Sequence, residues 1–167
     1  MAATMRIKLA LVQLMIASLF VATSGFGSGA PPSTCTKPLP NRPYHGKDST
    51  IESQSLSNNP YQIVASGNTY RPGSQITVRI QGDTFKGFFI QARDAQTNQW
   101  IGTWAQTPNT KSYAECAAVT HADPKDKQLA TLIWNAPTSG RSGKVYFTGT
   151  VLKDYATFWA DMVSRVQ

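Results

Sequence analysis

The chain has 167 residues and a formal net charge of +7, with 16 Lys and Arg against 9 Asp and Glu. That length is enough for one domain with a real core. Its charges are scattered singly, which excludes a polybasic tail, and its two histidines and two cysteines lack H-x-x-x-H or C-x-x-C spacing, which argues against a zinc site.

The N-terminus comes first. Arg6 and Lys8 precede the apolar run Leu9 to Ala22, and small residues follow, "TSGFGSGA". This is the layout of a secretory signal peptide, residues 1–24, with cleavage between 22 and 30. The run is shorter than the roughly 20 residues of a membrane-spanning helix. An uncleaved signal anchor is the lesser alternative. No second apolar run and no hydrophobic tail follow, so neither a membrane span nor a lipid anchor is expected. The expected location is extracellular. Losing Arg6 and Lys8 still leaves a basic mature chain, suited to anionic lipids, lipopolysaccharide or acidic polysaccharide.

Residues 31–167 read as a single domain. "APPSTCTKPLPNRP", from Ala30 to Pro43, reads as an extended proline-rich arm. In an oxidising compartment, Cys35 and Cys116 most simply form one disulfide, tying this arm to the middle of the fold. A polar loop continues to Pro60.

From Tyr61 onward the pattern has period two. "YQIVA" is the first expected strand, and Pro72-Gly73 marks a turn. "QITVRIQ" places Ile76, Val78 and Ile80 on one face, with Thr77 and Arg79 on the other. "WIGTWAQ" is a short strand, "TPNTKS" a loop, and "YAECAAVTH" a strand containing Cys116. "QLATLIW" reads as a buried strand. In "KVYFTGTVL", Val145, Phe147 and Val151 share a face. The last segment, "DYATFWADMVSRVQ", fits either helical spacing or a final edge strand, and the strand is preferred. β-branched and aromatic residues fill these runs. Together they predict an all-β, antiparallel, immunoglobulin-like β-sandwich.

The stretch "GDTFKGFFIQARD" holds three phenylalanines in close succession. Phe88, Ile90 and Ala92 share one parity, and Gln91 and Arg93 the other. This is a half-buried strand, too short to enter a bilayer alone. Gly87 marks a bulge or a close approach, letting Phe85 and Phe88 both turn inward and leaving Lys86 outside. Phe89 breaks the alternation. It lies under a loop, under the N-terminal arm, or in an exposed patch.

Little here carries catalysis. There is no Gly-x-Ser-x-Gly elbow, and the carboxylates are scattered rather than paired as a glycosidase requires. His45 and His121 are the available imidazoles. No phosphate-cradling glycine loop and no aromatic nucleic-acid motif is visible. Neither an enzyme, a cofactor nor a nucleic-acid partner is expected.

Several pieces occur in a specific order. They are Cys35 with Pro43, His45 and Gly46, then "YRPGSQITVRIQG", "FKGFFIQARD", Cys116 before "VTH", "WNAP", "GKVYFTGTV" and a late "FW". In this order they resemble the reeler (reelin N-terminal) domain, from about Ser33 to Val166. A free-standing, secreted single-domain chain is most similar to insect defence proteins, including nodulation mediators of moths. The resemblance implies an immunoglobulin-like sandwich, expression on infection, and binding to bacterial surface components or blood cells. It transfers no binding residues. Some members carry a second cysteine pair that this chain lacks. Trp134 follows both cysteines, so the antibody-type Cys…Trp…Cys order is also absent.

The leading functional expectation is a non-enzymatic recognition module for bacterial glycolipid or polysaccharide. Lys125, Lys127, Arg141 and Lys144 are the candidate contacts, chosen because they fall at expected turns. Membrane-disrupting killing needs an amphipathic basic surface, and no such helix is visible. An adhesive or structural extracellular module with incidental charge is the alternative.

Overall fold

In a computed structural model, residues 26–36 and 51–167 are described. The expected signal peptide, the arm beyond Thr36, and Pro43, His45 and Gly46 lie outside them.

Two sheets pack face to face. The first contains β1 (Tyr61–Ala65), β3 (Gln75–Phe85), β5 (Thr103–Trp104), β8 (Lys127–Asn135) and β11 (Arg165–Val166), in the order β11-β1-β3-β8-β5. The second contains β4 (Gly87–Asp94), β6 (Thr110–Tyr113), β7 (Ala118–His121), β9 (Gly143–Leu152) and β10 (Phe158–Val163), in the order β10-β9-β4-β7-β6. The short β2 (Thr69–Tyr70) joins the start of β9. The sandwich is thus the expected one, with one correction to its pairing: β11 runs parallel to β1. The C-terminal segment forms strands β10 and β11, not a helix.

Alternation builds the core. Ile76, Val78 and Ile80 of β3 meet Phe88, Ile90 and Ala92 of β4, together with Val145, Phe147 and Val151 of β9. Trp134 is fully buried and packs edge-on against Tyr70 and Phe147, at 5.4 Å and 5.8 Å between ring centroids. Its indole N–H donates to the Ile101 carbonyl at 2.9 Å, so the polar edge is satisfied as burial requires. Phe85 and Phe88 both face inward.

The second sheet also buries much of its outer face. Gln91, expected to face solvent, is 0% exposed; its side-chain amide donates to the Cys116 carbonyl. Phe89 is 3% exposed and clusters with Cys35, Cys116 and Ala118. Cys35 and Cys116 form a disulfide with their Cα atoms 5.9 Å apart. The N-terminal segment is therefore stitched over this face, and Phe89 lies beneath it.

Other expectations need correction. Cys116 ends a 3-10 turn (Ala114–Cys116) between β6 and β7, followed by Ala117 in the left-handed region. "TPNTKS" is only partly a loop, since β6 begins at Thr110. "WIGTWAQ" contributes only Thr103–Trp104 to a strand. In "QLATLIW", Leu132 and Trp134 are buried but Leu129 is exposed.

Candidate functional site

The four candidate cations fall at opposite ends of β8 and its loops, so the structure does not bring them together. Lys125 and Lys127 lie at its start. Arg141 and Lys144 lie beyond its end, roughly 25–30 Å away at about 3.3 Å per strand residue. Nor are all four in turns: Lys127 opens β8 and Lys144 belongs to β9.

Lys127 is held by the fold. Its Nζ donates to Asp123 Oδ1 at 3.1 Å and to the carbonyls of Lys86, Asp123 and Lys125 at 2.9, 3.0 and 2.7 Å. An ammonium has three protons, so this one is saturated by its own loop. The Lys125 amide and the Lys127 ammonium hold the Asp123 carboxyl below its ordinary range. Lys86 pairs with Asp126 at 2.9 Å, and Lys153 lies 3.6 Å from Asp83. This end is charge-balanced.

The other end differs. β2 sets Thr69 against Lys144, and Gly73, at φ +75° in the Pro72-Gly73 turn, donates its N–H to the Pro137 carbonyl at 2.9 Å. Arg71 and Arg141 are thereby carried on adjacent connections, with Lys144 beside them. All three are exposed, and none is ion-paired among the described residues. Asp94, at this end, accepts from the backbone N–H groups of Thr97 and Gln96 at 2.8 and 2.9 Å, which lowers its pKa. Its charge is thus turned inward on its own turn. Arg93 faces Tyr146 across the β4–β9 ladder and stacks 5.8 Å from the ring of Trp100, which is 40% exposed. Arg93 itself is half-buried and donates to the Asn98 carbonyl and Gln91 Oε1; the exposed Arg71, Arg141 and Lys144 are the cations that suit phosphate or carboxylate groups.

At the charge-balanced end, the N-terminal segment and the second sheet enclose an open groove of about 240 Å³. His121 closes its inner wall. The ring accepts from the Phe88 N–H at Nδ1, 3.1 Å away, and is also hydrogen-bonded to the Phe26 backbone. Burial is the main reason its pKa lies below the ordinary 6.5; the Lys127 charge pushes the same way, while the Phe88 carbonyl, 3.2 Å from Nδ1, the bond to the Phe26 backbone and Asp123 oppose it. Among the described residues no group of three or more His, Cys, Asp and Glu is placed to hold a metal. No described helix is long and apolar enough to cross a membrane.

Sequence reasoning missed Arg71 and Trp100, although Arg71 adjoins a Pro-Gly turn and was open to the same loop argument. It also missed the groove, which exists only because the disulfide folds the N-terminal segment back.

The model of the Reeler domain matches residues 33–166. The chain belongs to the Reeler domain family. Defense protein 3 of Antheraea mylitta is 36% identical over 157 residues, spanning 89% of this chain and 90% of that protein. Defense protein 2 of the same moth is 34% identical, over 88% and 92% of the two chains. The ferric-chelate reductase 1 of Danio rerio is 32% identical over 160 residues, but this chain spans only 26% of its length. The crystal structure of the Reelin-N domain of F-spondin superposes with a TM-score of 0.51 at 19% identity, covering 65% of this chain and 85% of that one. That last likeness establishes the fold alone. End-to-end likeness to named defence proteins supports a defence-related role for this Reeler chain.

Proposed function

We propose that this protein is a secreted, non-enzymatic defence module that binds anionic components of the bacterial surface through its basic end. The carrying observation is the set Arg71, Arg141 and Lys144, exposed and without acidic partners among the described residues, on a chain matched over its length by defence proteins. Arg141 and Lys144 keep the role first assigned to them. Lys127 does not, because its ammonium is saturated internally. Lipopolysaccharide phosphates and similar groups are the partners chosen by this chemistry, met by several cations at once. The disulfide and the N-terminal leader support secretion. A reductase reading is disfavoured, since the reductase relatives share only a small part of their length with this chain.

Purified protein is applied to whole bacteria, immobilised lipopolysaccharide and lipoteichoic acid at physiological salt. Retention above a charge-matched control protein is expected. Retention equal to the control refutes the proposal.

A further inference from the structure

The groove at the charge-balanced end has no part in binding through the basic end. It has the marks of a small binding site of its own. Its walls are mainly apolar, with Phe88, Phe89 and Leu152 among them. Two exposed aromatics, Phe26 at 47% and Tyr155 at 37%, flank the opening. Lone exposed apolar side chains are ordinary, but two on one apolar opening form a patch.

Two hydroxyls in its lining are unexplained by the fold. Thr34 and Thr150 both line the groove, both are 0% exposed, and neither Oγ1 has a hydrogen-bond partner among the described residues. Neighbouring Thr120 shows the contrast: its Oγ1 donates to the Phe88 carbonyl at 2.7 Å and accepts from the Ala30 N–H. A buried hydroxyl without a partner is costly, and native folds rarely keep one without a reason. Two beside one groove point to an occupant that supplies polar atoms at that depth.

Size and charge narrow the occupant. A volume of 240 Å³ falls below the roughly 300–1,000 Å³ of pockets for drug-sized ligands. That is room for one chain, not for a multi-chain glycolipid. The lining also contains one cation and one anion: Lys86, in an exposed and exchangeable pair with Asp126, and Asp154, whose Oδ1 accepts from the Ala156 and Thr157 N–H groups. A zwitterionic head complements these two lining charges, whereas a bare fatty-acid anion meets the Asp154 charge.

We propose that this groove binds the acyl chain of a single-chain zwitterionic lipid, a lysophospholipid. Its ester carbonyl and glycerol hydroxyl meet Thr34 and Thr150, and its phosphate and ammonium lie by Lys86 and Asp154. The proposal is independent of the basic end, and the two are separable by experiment.

The test is isothermal titration of the secreted protein with short-chain lysophosphatidylcholine and lysophosphatidylethanolamine, below their micelle concentrations. The two heads distinguish the lipid's possible sources, and one-to-one saturable binding of either is expected. Thr150→Val and Thr34→Val keep shape and remove a hydroxyl; each is expected to weaken binding about tenfold without loss of thermal stability. Leu152→Trp fills the groove and is expected to abolish binding. Retention on bacteria is unchanged in all three variants. Absence of saturable binding to both lipids overturns the proposal, as does undiminished affinity in both valine variants. A matched fatty acid or alkyl maltoside binding as tightly as the lysolipids overturns the assignment of the head group.

Discussion

The imidazole of His121 occupies the space that a side chain on Gly87 would fill. A Cβ built on Gly87 stands 2.7 Å from Cε1 of His121, closer than real Cβ contacts come. The ring cannot easily yield, because it is held by the Phe88 N–H and by the Phe26 backbone. Gly87→Ala is therefore expected to cost about 1–3 kcal/mol through overpacking. In a His121→Ala background most of that cost disappears. Equal costs in both backgrounds, by urea denaturation, contradict the relationship.

The same ring sets a pH dependence. Its folded pKa is lowered below 6.5, mainly by burial. Above pH 6.5 it is neutral in both folded and unfolded chains. Below 6.5 the unfolded chain takes up a proton that the folded ring resists. Stability is thus complete above 6.5 and is lost as pH falls toward the lowered folded value, by at most about 1.4 kcal/mol per pH unit. Denaturation of wild type and His121→Gln at pH 7.5 and 5.5 separates this from other groups. Wild type loses more between the two; parallel losses exclude His121 as the cause.

Cys35 and Cys116 are 81 positions apart. Chain entropy puts such a cross-link at roughly 4–5 kcal/mol, with measured values often lower. The paired variant Cys35→Ala/Cys116→Ala is expected to lose about 2–5 kcal/mol and to expose residues 26–36 to protease before the sandwich. Unchanged protease resistance there contradicts the stitching role.

Lys127 and Arg141 were equal candidates by sequence, and the structure separates them. Lys127→Met leaves three backbone carbonyls and Asp123 without their ammonium. It should destabilise by about 1–3 kcal/mol and leave bacterial binding intact. Arg141→Ala is expected to do the reverse, measured by thermal melts beside bacterial retention.

Much of the sandwich was legible because its strands obey a period of two. Ile76, Val78 and Ile80 announce their face without help, as do Val145, Phe147 and Val151. Cys116 was misplaced because its turn ends on Ala117 at φ +47°, a left-handed position that alanine gives no sign of. Phe89 was undecidable locally, since its cover includes Cys35, brought from far upstream by the disulfide, and Gln91 because its amide meets the Cys116 carbonyl, distant in sequence. The basic end was half visible. The expectation of turn positions chose Arg141 and Lys144, two of the three residues now proposed, although Lys144 lies in β9; it also chose Lys127, whose carbonyl cage is a long-range product of the fold.

The contacts of residues 26–30 carry a prediction about where the expected leader is cut. Ala30 donates to Thr120 Oγ1 at 3.2 Å, its carbonyl accepts from the Tyr113 hydroxyl at 2.7 Å, and the Phe26 backbone binds His121. N-terminal sequencing of secreted protein is expected to begin at or before Phe26. A start beyond Ala30 contradicts the packing of this segment.

The most direct measurement compares wild type with Arg71→Glu/Arg141→Glu/Lys144→Glu for retention on lipopolysaccharide-bearing bacteria at physiological salt. A control variant reverses Lys111, Lys125 and Lys153 to Glu, away from the basic end, removing the same charge. The account predicts that the first variant loses retention by about tenfold or more while the control keeps most of it. Equal losses in the two variants would show that net charge alone, and not the basic end, holds the bacterial surface.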